Sequence, residues 1–151
     1  MTASEEPEKI VVVRRLLPVS REEVFDAWLD PVSLAQWMCP GGVTTATVDV
    51  DPRVGGRFRI VMTDTGEDVE HYGQYLKIER PSLLSFTWIS VNTDHQPSVV
   101  TIEFLLRDDG TELILTHRGL PQTRADAHRK GWTDIVRKLA VRLADRTDSY
   151  S

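Results

Sequence analysis

The chain has 151 residues, 40% of them hydrophobic and 27% charged, with 18 Lys and Arg against 23 Asp and Glu for a net charge of −5. That length fits one domain able to bury about 68–70% of its unfolded surface. The balance excludes a disordered chain, a collagen-like repeat and a disulfide scaffold, and the acidic excess disfavours nucleic acid, whose binders need positive charge.

Residues 1–8 are polar, include Pro7, and are expected to form a disordered leader. Residues 10–17 read as a β-branched strand. Residues 10–13 are the longest apolar run, far short of the ~20 residues of a membrane span, so no membrane insertion is expected. Pro18 ends the strand. Ser20 to Glu23 has the spacing of a capping box, and Val24, Phe25, Trp28 and Leu29 mark one face of a first helix. Asp30 caps and Pro31 opens a short second helix, which Pro40, Gly41 and Gly42 stop. Cys39, the single cysteine, lies past that helix's C-terminus, where the dipole disfavours a thiolate; it reads as filler rather than as a nucleophile. Without a disulfide partner it points to a reducing compartment, so a cytoplasmic location is expected.

After Gly42 the period becomes two, with residues 44–50 and 57–63 as strands. Phe58, Ile60 and Met62 share one face, with Arg57 and Arg59 on the other. Residues 69–78 form a strand with a bulge expected at Gly73 and Tyr72 on the inward face. Residues 83–90 put Leu84, Phe86 and Trp88 together. After a loop at 92–97, residues 98–107 align Val100, Ile102, Phe104 and Leu106. Asp108, Asp109 and Gly110 signal a hairpin into residues 111–117, where Leu113, Leu115 and His117 share a face. From Gln122 the period returns to that of a helix: His128, Trp132, Ile135, Val136, Leu139, Ala140 and Leu143 form one stripe along about 22 residues. Residues 147–151 read as a polar tail. The whole is an α+β chain: one strand, two short helices, six antiparallel strands and a long amphipathic helix to cover the sheet.

These residues resemble a known family. The strings Val24-Phe25-Asp26-Ala27-Trp28, Leu34-Ala35-Gln36-Trp37, Val54-Gly55-Gly56-Arg57-Phe58, Gly73-Gln74-Tyr75-Leu76-Lys77-Ile78, Leu84-Ser85-Phe86-Thr87-Trp88 and His128-Arg129-Lys130-Gly131-Trp132 occur in the order and spacing of the START-type SRPBCC superfamily. The branch resembled is the one named after the activator of a heat-shock chaperone ATPase. The resemblance implies a helix-grip fold: a curved seven-stranded antiparallel sheet wrapped around a long C-terminal helix, with residues 9–146 as a single START-like ligand-binding domain. It also implies a cavity between sheet and helix for an apolar or aromatic ligand. The branch commonly carries a second aromatic after Trp37; here the sequence reads Trp37-Met38-Cys39-Pro40, which places sulfur-bearing side chains at the expected mouth. The expected lining is Trp37, Met38, Phe58 and Ile60, then Tyr72, Phe86, Trp88 and Ile102 from the sheet, and His117, His128, Trp132 and Val136 where the last strand meets the helix.

Motifs for other chemistry are missing. There is no G-x-S-x-G elbow, no P-loop and no dinucleotide fingerprint, so no cofactor is expected. Cys39, His71, His95, His117 and His128 do not fall at short metal-ligand spacing, so no metal is expected. The acid/base candidates are His117, His128 and Tyr72; the plainer reading of each histidine is a partly buried ring satisfied by its neighbours. Three functions follow in order. The first is non-catalytic binding of a small apolar or aromatic molecule. The second is an enzyme acting on a polyketide-like or aromatic substrate in the same cavity. The third is a chaperone cofactor or homodimeric interaction protein.

Overall fold

The computed structural model describes residues 9–39, 46–64 and 66–148. The expected leader at 1–8, the stop at Pro40, Gly41 and Gly42, and Thr65 lie outside them. Strand β1 (Lys9–Leu17) is followed by helices α1 (Arg21–Ala27) and α2 (Pro31–Trp37). Strands β2 (Ala46–Val50), β3 (Arg57–Asp64), β4 (Glu67–Glu79), β5 (Leu83–Trp88), β6 (Ser98–Arg107) and β7 (Gly110–Leu120) follow, and helix α3 (Ala125–Asp148) ends the described chain. The seven strands form one sheet in the order β1-β7-β6-β5-β4-β3-β2, antiparallel throughout. Short hairpins make β2 to β7 sequential neighbours, and β1 joins the far edge against β7. Helix α3 packs on β1 and α2, and α1 on β6 and β7. This is the helix-grip α+β fold.

The helix starts are built as the side-chain chemistry demands. Ser20 accepts from the Glu23 amide at 3.2 Å, and Asp30 accepts from the Val32 amide at 3.0 Å. Asp26 on α1 holds Arg80, in the turn between β4 and β5, through two bonds of 2.8 and 3.0 Å. The Arg80 guanidinium keeps the Asp26 carboxyl below its ordinary value. Both groups are exposed, so the pair fixes position more than it adds stability. The loop expected at 92–97 opens with a single helical turn, Val91–Thr93, in which Ser90 and Thr93 cap each other. Helix α3 extends through Thr147 and Asp148, two residues into the expected tail.

The α3 stripe is seated as its spacing predicts: Trp132, Ile135, Val136, Leu139, Ala140 and Leu143 are buried. Strand β4 departs from expectation. Its buried positions are His71, Gly73 and Tyr75, while Tyr72 is 39% exposed on the outer face. The β3–β4 register runs unbroken through Phe58 and Gly73, so alternation from His71 to Tyr75 is strict. The irregularity expected at Gly73 instead falls between Tyr75 and Lys77, against β5. Gly73 serves a close approach. A Cβ there would lie 1.9 Å from the Thr87 carbonyl oxygen and 2.8 Å from the Phe58 ring. Gly73→Ala is therefore expected to cost about 1–3 kcal/mol in urea unfolding, the scale of overpacking a tight core; a loss below about 0.5 kcal/mol would show that the β5 backbone at Thr87 gives way as well as the Phe58 ring.

Candidate functional site

Between α3 and the inward faces of β3, β4 and β5 lies a cleft of about 170 Å³, partly open to solvent. Its floor and walls are Met62, His71, Trp88, Trp132 and Ile135; Ala127, His128 and Gly131 of α3 form one side, and Asn92 and Arg124 stand at the mouth. Trp88 and Trp132 meet at 5.0 Å between ring centroids, and His71 lies over Trp88 at 4.9 Å. The pocket surface is thus largely aromatic with a few polar groups, the composition of small-molecule sites.

Behind Trp132 is a closed chain of hydrogen bonds. The Trp132 indole donates from Nε1 to Nδ1 of His117 at 2.9 Å. An indole nitrogen only donates, so Nδ1 is the acceptor and His117 carries its proton on Nε2. That Nε2 donates to Ser98 Oγ at 2.7 Å, and Ser98 Oγ donates to the Trp88 carbonyl at 2.6 Å. His117 is fully buried and every polar atom of its ring is used. Adding a proton at Nδ1 would set it against the indole N–H. Burial foremost, and then the neighbouring His128, lower the pKa of His117 to about 3. His117 is a structural histidine that aims Trp132, and it does not reach the cleft.

His128 and His71 do reach it. His128 Nδ1 lies 2.9 Å from the Arg124 carbonyl, and burial lowers its pKa. His71 is pushed to about 4, chiefly by burial, with the Ile60 and Val69 carbonyls opposing and His128 adding to the shift. Its Nδ1 is buried without a hydrogen-bond partner. At the mouth, Arg124 is paired with Asp94 through bonds of 3.0 and 3.3 Å.

Of the expected lining, Trp88, His128 and Trp132 meet in the cleft. Met38, Phe58, Ile60 and Phe86 instead surround a separate space of about 10 Å³, with Trp28, Leu34, Tyr75 and Trp88. That space is about one water in size, so these side chains are packed core. Ile102 and Val136 are buried in the core away from the cleft. Trp37 is buried with its indole donating to Ser33 Oγ at 2.9 Å, beside a separate surface groove. Tyr72, expected inward, points out; its place belongs to His71, one residue earlier. Cys39 is buried, with Lys138 Nζ donating to its carbonyl at 2.7 Å, and burial raises its thiol pKa. Among the described residues it is not part of the cleft's lining.

His71 was legible only by phase: strict alternation from Tyr75 puts it inside. Gly131, a glycine within a strong helical stripe, is a signal of space on that face. Asn92 and Arg124 come from connecting turns and had no sequence signal. Among the described residues no cluster of His, Cys, Asp and Glu could hold a metal ion. No described helix is long and apolar enough to cross a membrane.

Comparison with known proteins agrees with this architecture. Among curated proteins, none matches the chain in sequence. Solved structures do match. CV1439 from Chromobacterium violaceum is 26% identical with a TM-score of 0.78, over 89% of this chain and 96% of its own. MLL2253 from Mesorhizobium loti is 28% identical with a TM-score of 0.74, over 92% and 98%. SA2116 from Staphylococcus aureus, a protein of unknown function, shares the fold at 22% identity with a TM-score of 0.81, over 96% and 99%. The family model described as Activator of Hsp90 ATPase homolog 1-like protein matches residues 18–144, which covers both short helices, strands β2 to β7 and most of α3: the chain belongs to that family.

Proposed function

We propose that the protein binds a small apolar or aromatic molecule in the cleft between sheet and α3, without transforming it. The observation that carries this reading is the cleft itself: about 170 Å³ bounded by the Trp88 and Trp132 rings, beside an otherwise filled core. A cavity of about 150 Å³ accepts a single benzene ring, so the space suits a monocyclic ligand. Acid/base turnover is the less favoured reading. A general base works best with a pKa near the working pH, and His71, at about 4, is a weak base at neutrality. His117 is locked in its hydrogen-bond chain, and Tyr72 faces outward.

Titration with toluene, followed by two-dimensional amide NMR, tests the binding reading. Saturable shifts centred on Trp88, His128, Trp132 and Ile135 are expected, with Tyr72 and Trp37 unmoved. Native mass spectrometry of the protein from its own host is expected to show one small organic molecule, lost on denaturation. Absence of saturable shifts with any monocyclic aromatic would overturn the proposal.

A further inference from the structure

The cleft has apolar faces but is also lined by two imidazoles, His71 and His128, each with one ring nitrogen to which no hydrogen bond is made among the described residues. His71, 7% exposed, has a buried Nδ1 with no hydrogen-bond partner. His128 is more informative because its tautomer is fixed. Its Nδ1 lies 2.9 Å from the Arg124 carbonyl, and a carbonyl only accepts, so Nδ1 holds the proton. The neutral ring therefore presents the Nε2 lone pair, and among the described residues no hydrogen bond is made to it. Arg124, a cation lining the cleft, is already bonded to Asp94 through Nε and Nη2. The site thus offers an aromatic wall and an acceptor, with its positive charge already paired.

From this we infer that the ligand is a neutral monocyclic aromatic carrying a hydroxyl or N–H group. Its ring lies on the Trp88–Trp132 pair and its donor is directed at Nε2 of His128. The inference rests on the binding reading above and narrows it to a chemical class. A carboxylate would bring only acceptors to a lone pair, and the Arg124 charge it would seek is already shared with Asp94. A bare hydrocarbon ring would bury the Nε2 lone pair unmet, which is the costly side of any hydrogen bond. A phenol meets both demands: its ring takes the apolar wall and its O–H serves the nitrogen.

The test compares three probes of similar size, toluene, p-cresol and benzoate, titrated into the full chain at pH 7 with Kd read from amide shifts. p-Cresol is expected to bind about three- to tenfold tighter than toluene, the gain from one neutral hydrogen bond, with benzoate weakest. In His128→Phe, which keeps a ring but removes the nitrogen, p-cresol and toluene are expected to bind within about twofold of each other. Equal binding of toluene and p-cresol to the unaltered protein overturns the inference and leaves the binding reading standing, as does a preference for benzoate. A p-cresol advantage that survives in folded His128→Phe also overturns it, since the donor then goes elsewhere. If that variant does not fold, the ratio in the unaltered protein decides. If none of the three probes binds, the binding reading fails and the inference falls with it.

Discussion

Trp132→Ala is expected to cost about 3–5 kcal/mol of stability, the range for removing a fully packed tryptophan. Trp132 is 2% exposed and packs between Trp88 and Trp28, at 5.0 and 6.4 Å between centroids. It is also the sole donor to Nδ1 of His117 among the described residues. Two losses are therefore superposed: a cavity, and an unmet acceptor on a buried ring. Trp132→Phe separates them. It retains an aromatic body but removes the indole N–H, so it is expected to cost about 1–3 kcal/mol, mostly for leaving His117 unpaired. Urea unfolding with the m-value held constant measures both. A Trp132→Ala loss under about 1 kcal/mol would contradict the core role. The same variant enlarges the cleft, so it is also expected to admit two-ring aromatics that the unaltered protein excludes.

Stability is expected to fall steeply between pH 6.5 and pH 4.5. The unfolded chain protonates its imidazoles near the ordinary value of 6.5, whereas folded His71 resists until about 4 and His117 until about 3. Both folded values are depressed by burial, so the unfolded state binds more protons across this window. Stability is therefore fully present above pH 6.5 and is lost as pH falls; the loss levels off only when the folded rings protonate. At pH 4.5, each ring has cost about 2–3 kcal/mol, at about 1.4 kcal/mol per unit. His128 is shifted in the same direction and adds to the slope. Unfolding free energy measured against pH is expected to change by about 2–3 kcal/mol per unit between pH 6 and 5, the signature of two protons taken up. His71→Phe, which keeps a ring beside Trp88, is expected to remove about one proton from that slope. A flat profile would mean that water reaches these rings in the folded state.

Much of the architecture was written in the residues one at a time. Ser20 and Asp30 cap helices through bonds that span two or three residues. The α3 stripe, the alternation of Phe58, Ile60 and Met62, and the two-residue turn at Asp108 and Asp109 are local periodicities that survive into the fold unchanged. Turns make sequential neighbours of β2 to β7, whereas the choice of β7 over β2 as the partner of β1 is a long-range pairing of Lys9 with Leu120.

The site was less legible. Inward-facing aromatics look alike in sequence whether they fill a core or bound a cleft. Phe58 and Phe86 interlock at 5.3 Å, while Trp88, two residues from Phe86, lines both the small core space and the cleft. That difference is set by how close α3 lies to each part of the sheet, a long-range quantity. The phase of β4 was lost at Gly73: a glycine reads locally as a bulge, yet here it makes room for a ring on the next strand. His117 on the last strand and His128 on the helix lie with their rings 5.2 Å apart, but their surroundings divide on single hydrogen bonds. One ring is used up by Trp132 and Ser98; the other lines the cleft with only its Nδ1 bonded, to the Arg124 carbonyl. The sequence by itself determined which faces are apolar, where helices begin and which consecutive strands are joined by turns, because these depend on residues close in the chain. Only the tertiary structure decided which buried aromatics leave a gap and which histidine is free to use it, because both depend on packing between β3, β4, β5 and a helix far away in the chain.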